Sequence, residues 1–279
     1  MSEAVDSAAA LDKQIAPSEN SGVAAAGRQR ETHMGFVRSL ATLLFILALP
    51  VALVTTNIRI LVNLPAVYDY AFDRYDAVQT TGLSRADLDG TAKAIRSYFN
   101  NDEPTLYYPV TEGGLQTPVF SAKETRHMQD VKRLLVWMNR VQMLTAVYVL
   151  AYVVVFFVWA REGNARQLAG QALVGLALGA IVVGGIAIFA ATGFEAAWSR
   201  FHELLFTNGD WQLDPRTDHL IQMFPEAFWR DMTMLLGVMS AVEAAAIAVV
   251  SVVYLVGTRR ERQHLPAAVE LGASNTQAA

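Results

Sequence analysis

The sequence contains no cysteine among its 279 residues. This absence excludes a disulfide framework, a cysteine zinc site, a thiol nucleophile and a lipid-modified cysteine within the chain. Charged residues are scarce, at 17%, and the sequence has neither a G-x-S-x-G nucleophile motif nor an H-E-x-x-H zinc motif. Any chemistry must use other groups, and of these histidine titrates nearest to neutral pH.

Apolar residues are abundant, at 53% of the chain, and the mean hydropathy is +0.28. Four apolar stretches are each near or above the ~20 residues that a helix needs to cross the hydrocarbon of a bilayer. They predict an all-α membrane protein with four transmembrane helices, at residues 36–62, 134–160, 168–192 and 233–257. We interpret the first as an uncleaved signal anchor, because a long polar segment precedes it.

Arginine residues flank these stretches on one side of the membrane, which predicts that both termini are cytoplasmic. The arginines are Arg28, Arg30, Arg38, Arg161, Arg166, Arg259, Arg260 and Arg262. The segments 63–133 and 193–232 then lie outside and form two parts of one extracytoplasmic cap on a bacterial cytoplasmic membrane. The composition of residues 1–35 and 258–279 predicts disordered cytoplasmic tails.

Turn and capping signals predict a small mixed α/β cap. Ser84 is placed to cap a helix of about 15 residues. The segments 105–110 and 115–120 flank two glycines and predict a short hairpin. Ser121 and Glu124 form a capping box, so a helix is expected to start there and to continue into the second span.

The second outer segment also contains turn and capping signals. Asn208-Gly209-Asp210 predicts a turn. Asp214 followed by Pro215 predicts a helix N-cap, and Phe224-Pro225 predicts the start of a helix that leads into the fourth span. Within that span Glu243 is costly to bury as an ion, and we expect it to bond to Gln142 or Tyr148.

One histidine in each outer segment lies beside a predicted span. His127 precedes the second span and His202 follows the third. Two imidazoles at one membrane face indicate acid–base chemistry, because a pair can exchange protons with an amine or an alkoxide near neutral pH. Asp130 shares a helix face with His127 and is a candidate to orient it.

Two blocks of residues fall in order around the last three spans. The first is His127-Met128-Gln129-Asp130-Val131, and the second comprises Phe201, His202, Glu203, Phe206, Thr207, Asn208, Trp211, Leu213, Asp214, Pro215, Asp218, Leu220, Ile221, Phe224, Pro225, Phe228 and Trp229. With these blocks the sequence resembles the bacterial lipoprotein intramolecular transacylases, over nearly all of residues 36–257. The resemblance implies a four-helix membrane protein with an extracytoplasmic cap that acts on diacylglyceryl lipoproteins.

The resemblance also implies a reaction and a catalytic pair. Members move an acyl chain from the sn-2 oxygen of the glyceryl group to the α-amine of the lipidated N-terminal cysteine, and His127 and His202 match the two catalytic histidines. We expect Asp130, Asn208 and Asp214 to support them. We expect a water-excluding pocket walled by Tyr75, Tyr107, Phe201 and Trp211.

The expected partners are the diacylglyceryl-cysteine terminus of a lipoprotein and membrane lipids, with no nucleic acid and no cofactor. An α-amine has a reference pKa of about 7.7 to 8.0, which suits a histidine base. Because the acyl donor and the amine belong to one molecule, proximity can supply roughly 7 to 11 kcal/mol of the barrier. No acyl-enzyme is then required.

Two other functions fit the sequence. The first is a metal-dependent membrane hydrolase with Glu124, His127, His202 and Glu203 as candidate ligands. The second is a non-enzymatic extracytoplasmic scaffold or receptor whose histidines sense acidity.

Overall fold

The computed structural model describes residues 3–112, 114–158 and 162–264, with the side chains of these ranges except at 3–31, 112, 162–164, 189–192 and 260–264. The elements in chain order are α1 Glu3–Asn63, α2 Pro65–Arg74, α3 Ala77–Thr81, α4 Arg85–Tyr98, β1 Pro109–Glu112, β2 Leu115–Pro118, α5 Ala122–Val158, α6 Glu162–Thr192, α7 Phe194–Leu205, α8 His219–Met223 and α9 Glu226–His264. The predicted all-α class with one small hairpin is confirmed.

Four of these helices contain segments that are long and apolar enough to cross a membrane: Thr32–Asn63, Ala122–Val158, Ala165–Ile188 and Glu226–Arg259. α5 has 37 residues, or roughly 55 Å of helix, against a hydrocarbon layer of about 30 Å. Its charged first turns, residues 122–133, therefore extend beyond the apolar part that begins at Leu134. The positions of the membrane boundaries remain those predicted from the sequence.

Small residues let α6 approach the end of α1 closely. A Cβ on Gly175 would lie 2.8 Å from the carbonyl oxygen of Ile46, and one on Gly179 would lie 2.7 Å from Cβ of Pro50. A side chain at either position would clash at these distances, so glycine is required there. Close backbone packing of this kind supports the association of helices within lipid. α6 also packs along α9, where the Arg166 guanidinium donates to the carbonyl oxygen of Leu255 at 3.0 Å.

A polar contact links α1 to α9 within the apolar region. Nδ2 of Asn57 donates to Glu243 Oε2 at 3.0 Å and to Ser240 Oγ at 3.2 Å. Asn57 was not among the expected partners of Glu243. Gln142, which was, instead contacts Arg59 and Thr56, at 3.2 and 3.3 Å, and the expected bond to Tyr148 stays a prediction.

The cap has one apolar core that draws on both outer segments. Tyr68 and Phe72 of α2 pack on Phe224, with ring centroids 5.8 and 5.9 Å apart. Phe228 of α9 and Met128 of α5 belong to the same buried cluster. The two segments are 64–121 and 193–225, so the cap forms only when chain regions about a hundred residues apart meet.

Several predicted local features of the cap are confirmed. The Ser84 hydroxyl accepts from the N–H of Asp87 at 3.2 Å, and α4 ends at Tyr98. The hairpin pairs Pro109 with Pro118 in antiparallel register. Both prolines are terminal residues of their strands, where a missing N–H costs least.

Asp214 does not begin a helix, so that prediction was wrong. The segment after it forms a turn, and α8 starts at His219 after Asp218. The Asp214 carboxylate instead accepts from the backbone N–H and the guanidinium of Arg216, each at 3.0 Å. A competing local side-chain bond of this kind favours a turn over a helix.

Helical backbone extends into both predicted tails. α1 begins at Glu3, within the segment 1–35, and α9 continues to His264, within 258–279. The side chains of residues 1–31 and the whole of 265–279 lie outside the described part of the chain. The disorder of these tails remains a prediction.

Candidate active site

His127 and His202 lie side by side where α5 and α7 meet in the cap. Their ring centroids are 6.0 Å apart and the ring planes are inclined by 34°. Each residue is only 7% exposed. Two imidazoles that are 75 positions apart in sequence thus form one buried pair.

The capping box at the start of α5 sets the position of His127. Glu124 Oε2 accepts from the N–H of Ser121 at 2.7 Å, and the Ser121 hydroxyl accepts from the N–H of Glu124 at 3.3 Å. Glu124 Oε1 also accepts from the N–H of Leu220 in α8 at 2.7 Å. Because Glu124, His127 and Asp130 share a helix face, this carboxylate fixes the face that carries the histidine.

The tautomer of His202 is set within its own helix. Nδ1 lies 2.8 Å from the carbonyl oxygen of Trp198 one turn earlier. A carbonyl can only accept, so Nδ1 carries the proton and Nε2 keeps its lone pair. His202 is therefore prepared to accept a proton at Nε2.

Aromatic rings enclose the pair. Trp211 stacks on the His202 ring at 5.0 Å between centroids, and Trp198 meets the same ring edge-on at 4.6 Å. Phe206 contacts His127 edge-on at 5.2 Å. Nδ1 of His127 is buried and has no hydrogen-bond partner among the described residues.

Burial keeps both imidazoles neutral at pH 7. The pKa of His127 falls to about 4, chiefly because the ring is buried and also because His202 is close by, against a weaker opposing effect of Asp130 and Asp210. Burial also lowers the pKa of His202, and its bond to the Trp198 carbonyl partly opposes this. A neutral imidazole is the form that accepts a proton.

The lowered pKa of His127 predicts an acid-sensitive fold. Above pH 6.5 both the folded and the unfolded chain hold it neutral, so it adds no pH dependence. Between pH 6.5 and about 4 the unfolded chain binds a proton that the folded chain does not. The free energy of unfolding should therefore fall by about 3 kcal/mol over this window.

Thermal denaturation in detergent at pH 7 and pH 4.5 measures this loss. The comparison is between the native protein and His127→Gln, so that other titrating groups cancel. The variant should lose less stability on acidification. An equal loss in both proteins would contradict the burial of a neutral His127.

Asp130 supports the site without touching His127. Its Oδ2 accepts from Nδ2 of Asn208 at 2.7 Å, and its other oxygen pairs with Arg133. Asn208 Oδ1 in turn accepts from the N–H of Asp210 at 3.1 Å. These bonds join the loop after α7 to α5, while Asp130 acts on His127 by charge.

A second link between the same elements was not predicted. Arg126 donates to both carboxylate oxygens of Asp210, at 3.0 and 2.9 Å. A paired guanidinium holds the pKa of the Asp210 carboxyl below its usual range. The partners are 84 positions apart, so no local pattern in the sequence connects them.

The expected pocket residues divide into two groups. Phe201 meets His202 edge-on at 5.4 Å, and Trp211 stacks on it as described above. Tyr75 instead donates to Asp231 at 2.6 Å, and Tyr107 is 65% exposed on the outer cap. Asp214 lies in its turn with Arg216, so these three residues do not join the histidine pair.

Trp198 and Phe206 were missed as site residues, although helical spacing offered a signal. They stand four positions before and four positions after His202, which places them beside it along a helix. Trp198 also stacks on Trp229 of α9 at 5.1 Å, so it joins the site to the fourth span.

The candidate metal ligands do not converge. Glu124 uses both oxygens on backbone N–H groups, and Glu203 pairs with Arg200 at 2.6 Å. Among the described residues no group of three or more His, Asp or Glu side chains is placed to hold a metal. The ligand set of the hydrolase alternative is therefore not assembled.

Comparison with known proteins gives one family. The family model described as "Lipoprotein intramolecular transacylase Lit" matches residues 43–229. The comparison with curated proteins gives no match.

Solved structures of one protein share this fold. The membrane-integral lipoprotein intramolecular transacylase Lit from Bacillus cereus is similar with a TM-score of 0.66 and 19% identity, over 81% of this chain and 99% of that one. A form of that protein with a histidine-to-arginine substitution is similar with a TM-score of 0.66 and 20% identity, over 85% of this chain and 99% of that one. A form with a histidine-to-alanine substitution is similar with a TM-score of 0.65 and 20% identity, over 83% of this chain and 99% of that one.

Proposed function

Because this chain belongs to the lipoprotein intramolecular transacylase family, a family of acyltransferases, we propose that it moves the sn-2 acyl chain of a diacylglyceryl lipoprotein onto the amine of the lipidated cysteine. The observation that carries the proposal is the buried pair of neutral imidazoles, 6.0 Å apart between centroids. The substrate would be the N-terminal diacylglyceryl-cysteine, presented from the membrane.

His202 is the better placed base. Its Nδ1–H is held by the Trp198 carbonyl, so the lone pair of Nε2 takes the proton of the α-ammonium. The amine nitrogen then attacks the carbonyl carbon of the sn-2 ester. A C–N bond forms and the C–O bond to the glyceryl group breaks, and a proton returns to the glyceryl oxygen.

His127 completes the proton transfer. It is neutral and lies in contact distance of His202, so the pair can pass one proton from the amine to the leaving oxygen. Counted from the α-ammonium, the nitrogen gives up two protons, of which one passes to the glyceryl oxygen and the other leaves to solvent, so the neutral substrate and the neutral product have the same mass. No covalent intermediate with the protein is needed, since the donor and the acceptor are already on one molecule.

The aromatic rings protect the reaction from water. Trp211, Trp198 and Phe206 cover faces or edges of the two imidazoles. A water molecule admitted at the ester carbonyl would release a free fatty acid instead of forming the amide. Exclusion of water therefore favours transfer over hydrolysis.

The exposed apolar face of α7 supports a site at the lipid surface. Its outer face leaves Leu204 84% exposed, with Phe201 and Leu205 each 43% exposed. An amphipathic helix with such a face lies in the plane of the membrane interface. Acyl chains can then stay in the bilayer while the glyceryl ester reaches His202.

The charge pattern of the sequence supports an orientation. In the sequence, arginines flank the ends of the four spans that do not lead into the cap segments, which favours cytoplasmic termini and a cap on the extracytoplasmic face. The enzyme would thus meet lipoproteins after their export and act in the bacterial cytoplasmic membrane.

The reaction can be tested with a synthetic diacylglyceryl lipopeptide and the purified protein in mixed micelles. We expect a product of unchanged mass in which mild alkali removes one acyl chain and leaves the other as an amide, whereas it removes both from the substrate. Mass spectrometry before and after alkali measures this. Well-folded protein that leaves both chains removable would overturn the proposal.

A further inference from the structure

An open cavity of about 350 Å³ lies on the outer cap beside the start of α5. Its walls include Tyr107, Tyr108, Phe120, Ala122, Thr125 and Arg126. This volume is within the range of about 300 to 1,000 Å³ that ligand sites occupy. Neither the imidazoles nor the rings around them line it.

The cavity is nevertheless close to the reacting groups. Arg126 directly precedes His127, and Ala122 lies roughly 7.5 Å from His127 along the helix axis. Around the helix axis Arg126, Ala122 and Thr125 stand roughly 100°, 140° and 160° from His127, so the cavity opens on the far side of α5. Four extended residues, at roughly 3.3 to 3.6 Å each, reach about 13 to 14 Å, which spans the helix diameter of roughly 10 to 12 Å.

The charge of the cavity is balanced. Its one cation among the lining residues, Arg126, is already held by both oxygens of Asp210. The remaining walls are aromatic, aliphatic or threonine side chains. Such a surface favours an uncharged ligand, because an added charge would compete with the existing ion pair.

The substrate of the proposed reaction must continue beyond its cysteine. A lipoprotein carries a polypeptide on that residue, and this chain has to leave the histidine pair on the side away from the lipid. The cavity is linked to the pair, because its lining residue Arg126 is bonded to Asp210, and the next residue, Trp211, stacks on the His202 ring.

We propose that this cavity is a peptide subsite that binds the uncharged residues two to four positions after the lipidated cysteine. This inference rests on the proposed function and adds to it a determinant of substrate choice. Lipoproteins with small or apolar residues at these positions would be preferred over those with charged ones.

The test compares two lipopeptides with the same diacylglyceryl-cysteine, one followed by a single serine and the other by five neutral residues. We expect the longer substrate to have a KM about tenfold lower for the native protein, since it buries one or two further side chains. Replacing its third and fourth residues by aspartate should remove this advantage. The alkali-stable acyl chain measures turnover.

Ala122→Trp and Tyr107→Ala probe the cavity itself. The first fills it and the second removes a wall, so both should reduce the ratio of kcat/KM for the long and short substrates towards one. Lys93→Trp, on the exposed face of α4, is the matched control and should keep the native ratio. Thermal denaturation shows that each variant is folded.

The outcomes separate the two proposals. Equal KM values for the short and the long lipopeptide with the native protein would overturn the subsite while the transfer reaction stands. An unchanged ratio in both folded cavity variants would also overturn it. Absence of transfer on either substrate would instead count against the proposed function.

Discussion

Replacing either His127 or His202 with alanine is expected to lower the rate of acyl transfer about 10³-fold, within the range that acid–base groups contribute. The two imidazoles handle one proton in sequence, so the double variant should be hardly slower than either single one. Measurement of kcat on the lipopeptide, with product counted as the alkali-stable acyl chain, tests both statements.

A third histidine supplies the control. Nδ1 of His219 lies 2.6 Å from the carbonyl oxygen of Val119, a structural bond within the cap, and no ring contact joins it to the pair among the described residues. His219→Gln should keep kcat within about threefold of native if the protein remains folded. Near-native turnover in folded His127→Ala or His202→Ala would refute the catalytic pair. The scaffold alternative predicts a function that does not depend on these histidines.

Removal of the Glu124 carboxylate is expected to cause the largest loss of stability. Glu124 is 1% exposed, and its two oxygens accept from the N–H groups of Ser121 and Leu220. Glu124→Ala leaves the buried N–H of Leu220 without a partner, at about 1 to 3 kcal/mol, and removes the acceptor of the partly buried Ser121 N–H, at roughly 1 kcal/mol. We expect a decrease of about 3 kcal/mol in the free energy of unfolding.

Two further variants make this result specific. Glu124→Gln keeps one carbonyl acceptor, so it should lose less stability than the alanine variant. Asp102→Ala removes an exposed carboxylate from a loop of the same cap and should change stability by less than about 0.5 kcal/mol. If Glu124→Ala denatured at the same temperature as Asp102→Ala, the bonds assigned to Glu124 would contribute nothing to the free energy of unfolding.

Features with short-range causes were predictable from the sequence. The N-cap at Ser84, the capping box at Ser121, the hairpin around Gly114 and the four apolar helices each depend on residues a few positions apart. Histidine chemistry and the position of each imidazole beside a span were enough to select His127 and His202. These inferences need no knowledge of how distant segments meet.

Features that depend on distant contacts were not predictable. Glu124 meets Leu220 and Arg126 meets Asp210 only after the two parts of the cap have packed together. Tyr75 and Tyr107 have the right chemistry for a pocket wall, yet Asp231 and the outer surface of the cap determine where they lie. Residue type indicates what a side chain can do, and tertiary packing determines which neighbour it serves.

α5 is continuous from Ala122 to Val158, whereas His202 belongs to a separate helix that begins after Gly193. An uninterrupted helix responds to hydrophobic mismatch by tilting as a rigid rod. A thinner or thicker bilayer would therefore displace one imidazole relative to the other. Turnover by this protein should consequently depend on the chain length of the surrounding phospholipids, even when the lipopeptide is the same.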